Sequence, residues 1–96
     1  MATIFLATVV LAPIVEEIVF RGMLQTALAR KLPIWAAIGI SAMVFSAMHG
    51  DLNSAPALMI IGAVFGVLYH LTGSLRITIL AHLANNLLAI TALNLA

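Results

Sequence analysis

Apolar residues run along this chain in four long blocks, broken three times by short polar punctuation. The first block, residues 2–29, stops at Arg30-Lys31-Leu32-Pro33, where proline suits the opening turn of the next helix. Residues 34–49 form the second. Gly50-Asp51-Leu52-Asn53-Ser54 is a polar turn, with Asn53 or Ser54 placed to cap a third helix from Ala55 to about Leu71. Thr72-Gly73-Ser74 then sets off a fourth, which starts at Leu75 and runs to near the C-terminus. No period-two alternation suggests a barrel, and backbone groups in lipid must be satisfied internally, so helices are the expected form. The middle blocks, 16 and 17 residues long, lie at the short end of the roughly 17 to 25 residues that span a bilayer. One of them is therefore tilted, re-entrant or extended at its ends. The expected fold is all-α: a polytopic transmembrane bundle of about four helices, forming a single domain over residues 1–96.

Composition supports that class. Of the 96 residues 65% are hydrophobic and only 7% charged, which excludes an ordinary soluble domain. The net charge of +1 and the lack of a basic run make nucleic acid an unsuitable partner. Cysteine is absent, so disulfides, thiolate metal sites and cysteine nucleophiles are excluded. The apolar start lacks a basic region and an evident cleavage site, and is not read as a secretory signal. Arg30 and Lys31 in the first connection and Arg76 in the third fall on one side of four alternating spans. The positive-inside tendency makes that side cytoplasmic, with both termini and the Asp51 turn facing outward.

Against this background the ionisable residues stand out, because a charge at membrane depth costs several kcal/mol unless it is paired or used. Glu16, Glu17 and Arg21 fall within six residues. Glu17 and Arg21 are four apart with the acid N-terminal, a spacing that favours an ion pair. Glu16 lies about 100° round the helix, so one carboxylate is neutralised while its neighbour stays open to a second partner. A buried ion pair with a spare acid is the bland alternative, but two acids exceed what one arginine needs. Phe45 and His49 share a face at the end of the second block, where a lone histidine is ordinarily interfacial. His82 and Asn86 share a face of the fourth, with Asn85 adjacent; such amides also serve as glue between helices. Convergence favours function: two glutamates, two histidines and an asparagine on three helices can activate water and hold an oxyanion. Depths agree only in part. Counted from the cytoplasmic ends, Glu16 lies about 22 Å up its helix, His49 about 24 Å, and His82 to Asn86 about 10 to 16 Å.

These residues carry a family resemblance. Glu16-Glu17 with Arg21 looks like an EExxxR motif, Phe45 with His49 like FxxxH, and His82 with Asn86 like HxxxN. In this order on successive apolar helices they resemble the CAAX prenyl-protease and bacteriocin-processing (CPBP, or Abi) family of intramembrane proteases. Phe20-Arg21-Gly22 and Thr72-Gly73-Ser74-Leu75 fit the same pattern. The resemblance implies a minimal or excised catalytic core. Within it Glu16 is the general base and His49 its partner in activating water. His82 and Asn86 stabilise the tetrahedral oxyanion, while Glu17, Arg21, Phe45 and Asn85 support them. No cofactor is then required. The alternative is a zinc site drawn from Glu16, Glu17, His49 and His82, with a position left open for water.

The resemblance implies an endopeptidase acting on membrane-associated or prenylated peptides, in a prokaryotic plasma membrane and surrounded by lipid. Eukaryotic relatives cut prenylated CAAX proteins, and prokaryotic ones are linked to peptide processing or bacteriocin immunity. A second class, an ion- or proton-coupled transporter or an immunity-type binding protein, uses the same groups. It lacks the internal repeats that transport usually needs, and Pro13 is the one helix break near the site. A purely structural packing role is the third possibility. Gly62 and Gly66 form a GxxxG read as close packing inside the bundle, with a homodimer as the lesser alternative. Tyr69 and His70 are read as interfacial residues, and Met23, Met43, Met48 and Met59 as apolar filler.

Overall fold

The computed structural model describes residues 3–4 and 10–95. The part of the expected first helix at residues 2 and 5–9 lies outside them. Helix α1 runs from Ala12 in three pieces: α-helix over Ala12–Glu17, π-helix over Ile18–Gln25, and α-helix again over Thr26–Ala29. Helix α2 is Ile34–Met48, α3 is Ala55–Thr72 and α4 is Leu75–Leu95. Among the described residues there is no strand, and the bundle measures 43 × 28 × 19 Å.

The punctuation works by identifiable chemistry. Pro33, extended at φ −55° and ψ 147°, precedes α2, and its carbonyl accepts the Ala37 N–H at 3.0 Å. Gly73 ends α3 in the left-handed conformation, φ 63°, where its N–H reaches the Tyr69 carbonyl at 2.7 Å. Ser74 caps α4 by accepting the Ile77 N–H at 3.2 Å. The turn before α3 is built differently from the expected cap. Ser54 Oγ donates to Asp51 Oδ2 at 2.6 Å and the Asn53 N–H donates to Asp51 Oδ1 at 3.1 Å, so neither residue caps the helix with its side chain. The aspartate offers a carboxylate within two and three residues, a stronger acceptor than the hydroxyl it captures. Those two bonds hold the exposed Asp51 carboxyl below its usual range, the Ser54 hydroxyl contributing most.

The bundle is apolar outside and polar within. Phe20, Ala37, Ile38, Ala42, Phe45 and Phe65 are buried, but so are Glu17, Arg21, Gln25, Ser41, Ser46, Thr78 and His82. Ile60, Val64, Leu80 and Leu88 face outward. Helices α3 and α4 are long and apolar enough to cross a membrane, with mean hydropathies of 1.7 over Ala55–Thr72 and 1.4 over Leu75–Asn94. Their surfaces are mostly exposed apolar side chains, as lipid requires and water does not. At 15 residues α2 is shorter, about 22 Å against a hydrocarbon core of about 30 Å. Helices α2 and α3 approach closely at the glycines: a Cβ on Gly62 would lie 3.3 Å from Ala42 Cα. A pocket lined by Ala29, Ile34, Tyr69, His70 and Gly73 brings the first and third connections together at one end.

Candidate active site

Glu17 is fully buried, and its Oε2 accepts from Arg21 Nη1 at 3.2 Å, the pair expected from their spacing. The same oxygen lies 2.6 Å from His82 Nδ1, which donates to it across from α4. Arg21 also donates through Nη2 to the Gly62 carbonyl on α3, and its guanidinium stands 5.2 Å from the Phe45 ring centroid and 5.6 Å from that of Phe65. One acid on α1 thus ties together three helices. Removing water around such a pair is costly, and the extra hydrogen bonds and ring faces offset part of that cost.

Glu16, the neighbouring residue, turns to a different side and is 29% exposed. Its Oε1 lies 3.4 Å from His82 Nε2 and its Oε2 lies 4.0 Å from His49 Nε2. His49, at the C-terminal end of α2, is 33% exposed. Its Nδ1 donates to the Phe45 carbonyl at 2.8 Å, which leaves Nε2 of the neutral ring as an acceptor facing Glu16. The rings of Phe45 and His49 are 4.7 Å apart, as their shared face implies. His82 is held on every side: Glu17 at one nitrogen, Glu16 at the other, and Phe65 stacked on its ring at 4.9 Å. Asn86 follows one turn later on α4, half-buried, with Asn85 beside it also half-buried.

Glu16, Glu17, His49 and His82 therefore meet, although their sequence depths disagreed. The π-helical stretch of α1 accounts for part of that difference: its wider turns rise less per residue, so Glu16 lies nearer the depth of His82 than an α-helix would put it. Glu17 Oε2 is engaged by Arg21 and His82 Nδ1, and among the described residues no set of three His, Cys, Asp or Glu side chains is arranged to hold a metal ion.

Several site residues were not singled out from sequence. Gln25 is buried and donates from Nε2 to the Gly66 carbonyl at 3.0 Å, repeating one turn on what Arg21 does at Gly62. Polar residues every four positions, Glu17, Arg21 and Gln25, in an apolar helix were the available signal. Phe65 lies between the two glycines of the GxxxG, on the face that meets His82. Thr78, fully buried, sits four before His82 on the same face of α4. Ser41 had no such signal; its hydroxyl donates to the Phe20 carbonyl at 3.0 Å, a partner found only in three dimensions.

Residues 1–88 match the Rce1-like, type II CAAX prenyl endopeptidase family. Over 77 residues, 80% of the chain, it is 35% identical to a protein of Bacillus subtilis (strain 168) named "Putative membrane peptidase YdiL". The chain spans about a third of that relative's length, 32%. No solved structure matches it. This chain belongs to the Rce1-like family of type II CAAX prenyl endopeptidases, a family of membrane proteases.

Proposed function

We propose that the chain forms the hydrolytic core of an intramembrane endopeptidase in which Glu16 and His49 activate a water molecule. The observation that carries this is the 4.0 Å separation of Glu16 Oε2 from His49 Nε2. It is too long for a direct hydrogen bond and suits one water donating a hydrogen to each. Both groups are partly exposed, so water and substrate can reach them. With both hydrogens committed, the water turns its lone pairs toward an incoming carbonyl carbon.

Attack forms the new C–O bond and a tetrahedral oxyanion, while Glu16 takes the water's proton. Asn86 supplies its amide N–H to the oxyanion, and His82, one turn before it on α4 with Nδ1 donating to Glu17, supplies Nε2–H in its doubly protonated form. His82 is oriented for this by Glu17, which Arg21 neutralises in turn. Collapse breaks the C–N bond and Glu16 returns the proton to the departing amine. No cofactor enters this cycle, and Asn85 and Phe45 act through the packing of their neighbours.

The substrates that fit are membrane-associated peptides, prenylated or transmembrane, delivered through lipid to a multi-pass protein of a prokaryotic plasma membrane. The end that carries Arg30, Lys31 and Arg76 faces the cytoplasm. We assign the GxxxG to packing within the bundle and not to a homodimer, because the Gly62 and Gly66 carbonyls already receive Arg21 and Gln25. The test is cleavage of a prenylated and a transmembrane peptide library by purified protein. Glu16→Gln and His49→Ala each abolish cleavage while the helices remain folded, and a chelator changes nothing. Equal cleavage by either variant would remove the assigned roles.

A further inference from the structure

The π-helical stretch of α1 is marked independently by a hydroxyl. Thr72, Thr78 and Thr91 each donate to the carbonyl four residues back, Leu68, Ser74 and Leu87, as threonines in α-helices do. Thr26 instead donates five back, to Arg21, at 2.8 Å. The widened turn has moved that carbonyl above it. One residue earlier, the Phe20 carbonyl accepts from Ser41 of α2 at 3.0 Å. Two successive carbonyls of the stretch thus accept a side-chain hydroxyl, the kind of insertion that bends or loosens a helix.

The register so held has a geometric use. Pro13, Glu17, Arg21 and Gln25, spaced by four, are all buried. In a continuous α-helix each step of four overshoots a full turn by about 40°, so the stripe would spiral by about 120° from first to last. Here Arg21 and Gln25 reach the Gly62 and Gly66 carbonyls while Glu17 meets His82. Wider turns keep the four residues on one side.

We propose that Thr26 and Ser41 are positioning residues: their hydroxyls hold the π register of α1, and that register sets Glu16 and Glu17 against His82. The proposal rests on the hydrolytic reading for its effect on rate, and on the structure alone for its effect on His82. The test uses the full chain in detergent micelles, with Thr26→Val combined with Ser41→Ala, and Thr26→Ser as the variant that keeps the hydroxyl. A farnesylated fluorogenic peptide reports kcat and KM. The Nδ1 proton resonance of ¹⁵N-labelled His82, assigned by its shift in Glu17→Gln, reports the bond to Glu17.

The double variant lowers kcat about 10- to 100-fold, the scale of an ångström's misplacement, with KM unchanged. Its His82 proton also leaves the strongly hydrogen-bonded range, whereas Thr26→Ser retains both signatures. A merely structural role would lower thermal stability without moving the resonance of the folded fraction. Wild-type kcat with an unmoved resonance in the double variant overturns the proposal. If the double variant does not fold, Thr26→Val against Thr26→Ser makes the same comparison. A wild type that leaves the peptide intact removes the hydrolytic reading, and the register proposal is then decided by the histidine resonance alone.

Discussion

Two sets of carboxylates in this chain are held by opposite means. Glu17 lies inside the bundle against Arg21 and His82, partners drawn from its own helix and from α4. Asp51 sits in the open turn between α2 and α3, held by the Ser54 hydroxyl and the Asn53 N–H. The first arrangement exists because lipid and protein offer a charge nothing else, and each partner lost leaves another uncompensated. In the second, water replaces whatever is removed. The same functional group is thus critical in one place and nearly expendable in the other, and solvent decides which.

The largest effect should come from breaking the inner set. Arg21→Met leaves Glu17 buried without its cation and is expected to cost about 3–5 kcal/mol, read by thermal or SDS-titrated unfolding in micelles. Combining it with Glu17→Gln removes both charges, so the double variant should be less destabilised than the sum of the singles. Additive losses would mean that the two residues stabilise the bundle separately, and that the 3.2 Å pair contributes nothing of its own.

A middle-sized effect belongs to the glycines that let Arg21 and Gln25 reach α3. A Cβ on Gly62 would meet Phe45 Cδ2 at 3.1 Å and Ala42 Cα at 3.3 Å, and one on Gly66 would meet Ile38 Cγ2 at 3.0 Å. Gly62→Ala and Gly66→Ala should each cost about 1–3 kcal/mol through overpacking. Gly39, within α2, has nothing within 4 Å of the corresponding position. Gly39→Ala should leave stability unchanged or raise it by up to about 1 kcal/mol, through helix propensity. If all three behave alike, close approach is not what Gly62 and Gly66 provide.

The contrast also separates what could be read along the chain from what could not. Helix ends at Pro33, Gly73 and Ser74 follow from local chemistry, so α2, α3 and α4 begin and end within a residue or so of where the polar punctuation places them. The Glu17–Arg21 pair and the Phe45–His49 face follow from spacing within one helix. The bond between Glu17 and His82 spans 65 residues, and only the convergence of polar residues in apolar helices and the family motifs pointed to that neighbourhood. The π-helix escaped notice because a period of 3.6 was assumed throughout, although Glu17, Arg21 and Gln25 recur every four. Asn53 or Ser54 was expected as a helix cap because type and place fit; both instead donate to the nearby aspartate, the serine through its hydroxyl and the asparagine through its backbone N–H.

The smallest effect is the one that isolates solvent. Asp51→Asn keeps the shape of the turn and removes the charge that Ser54 and Asn53 stabilise. Because those bonds lower the carboxyl's pKa in the folded protein, their contribution is fully present above the ordinary carboxylate range. It is lost as pH falls through the lowered value, when the folded protein must also take up the proton. The difference in Tm between wild type and Asp51→Asn should therefore be flat around neutrality, smaller than that of Arg21→Met, Gly62→Ala or Gly66→Ala, and should shrink as the solution is acidified below about pH 4. A Tm loss as large as that of Arg21→Met would mean that the outer turn is shielded from water, and the distinction between the two carboxylate settings would fail. A difference that instead grew on acidification would reverse the sign of the linkage, and would mean that the turn favours the protonated acid.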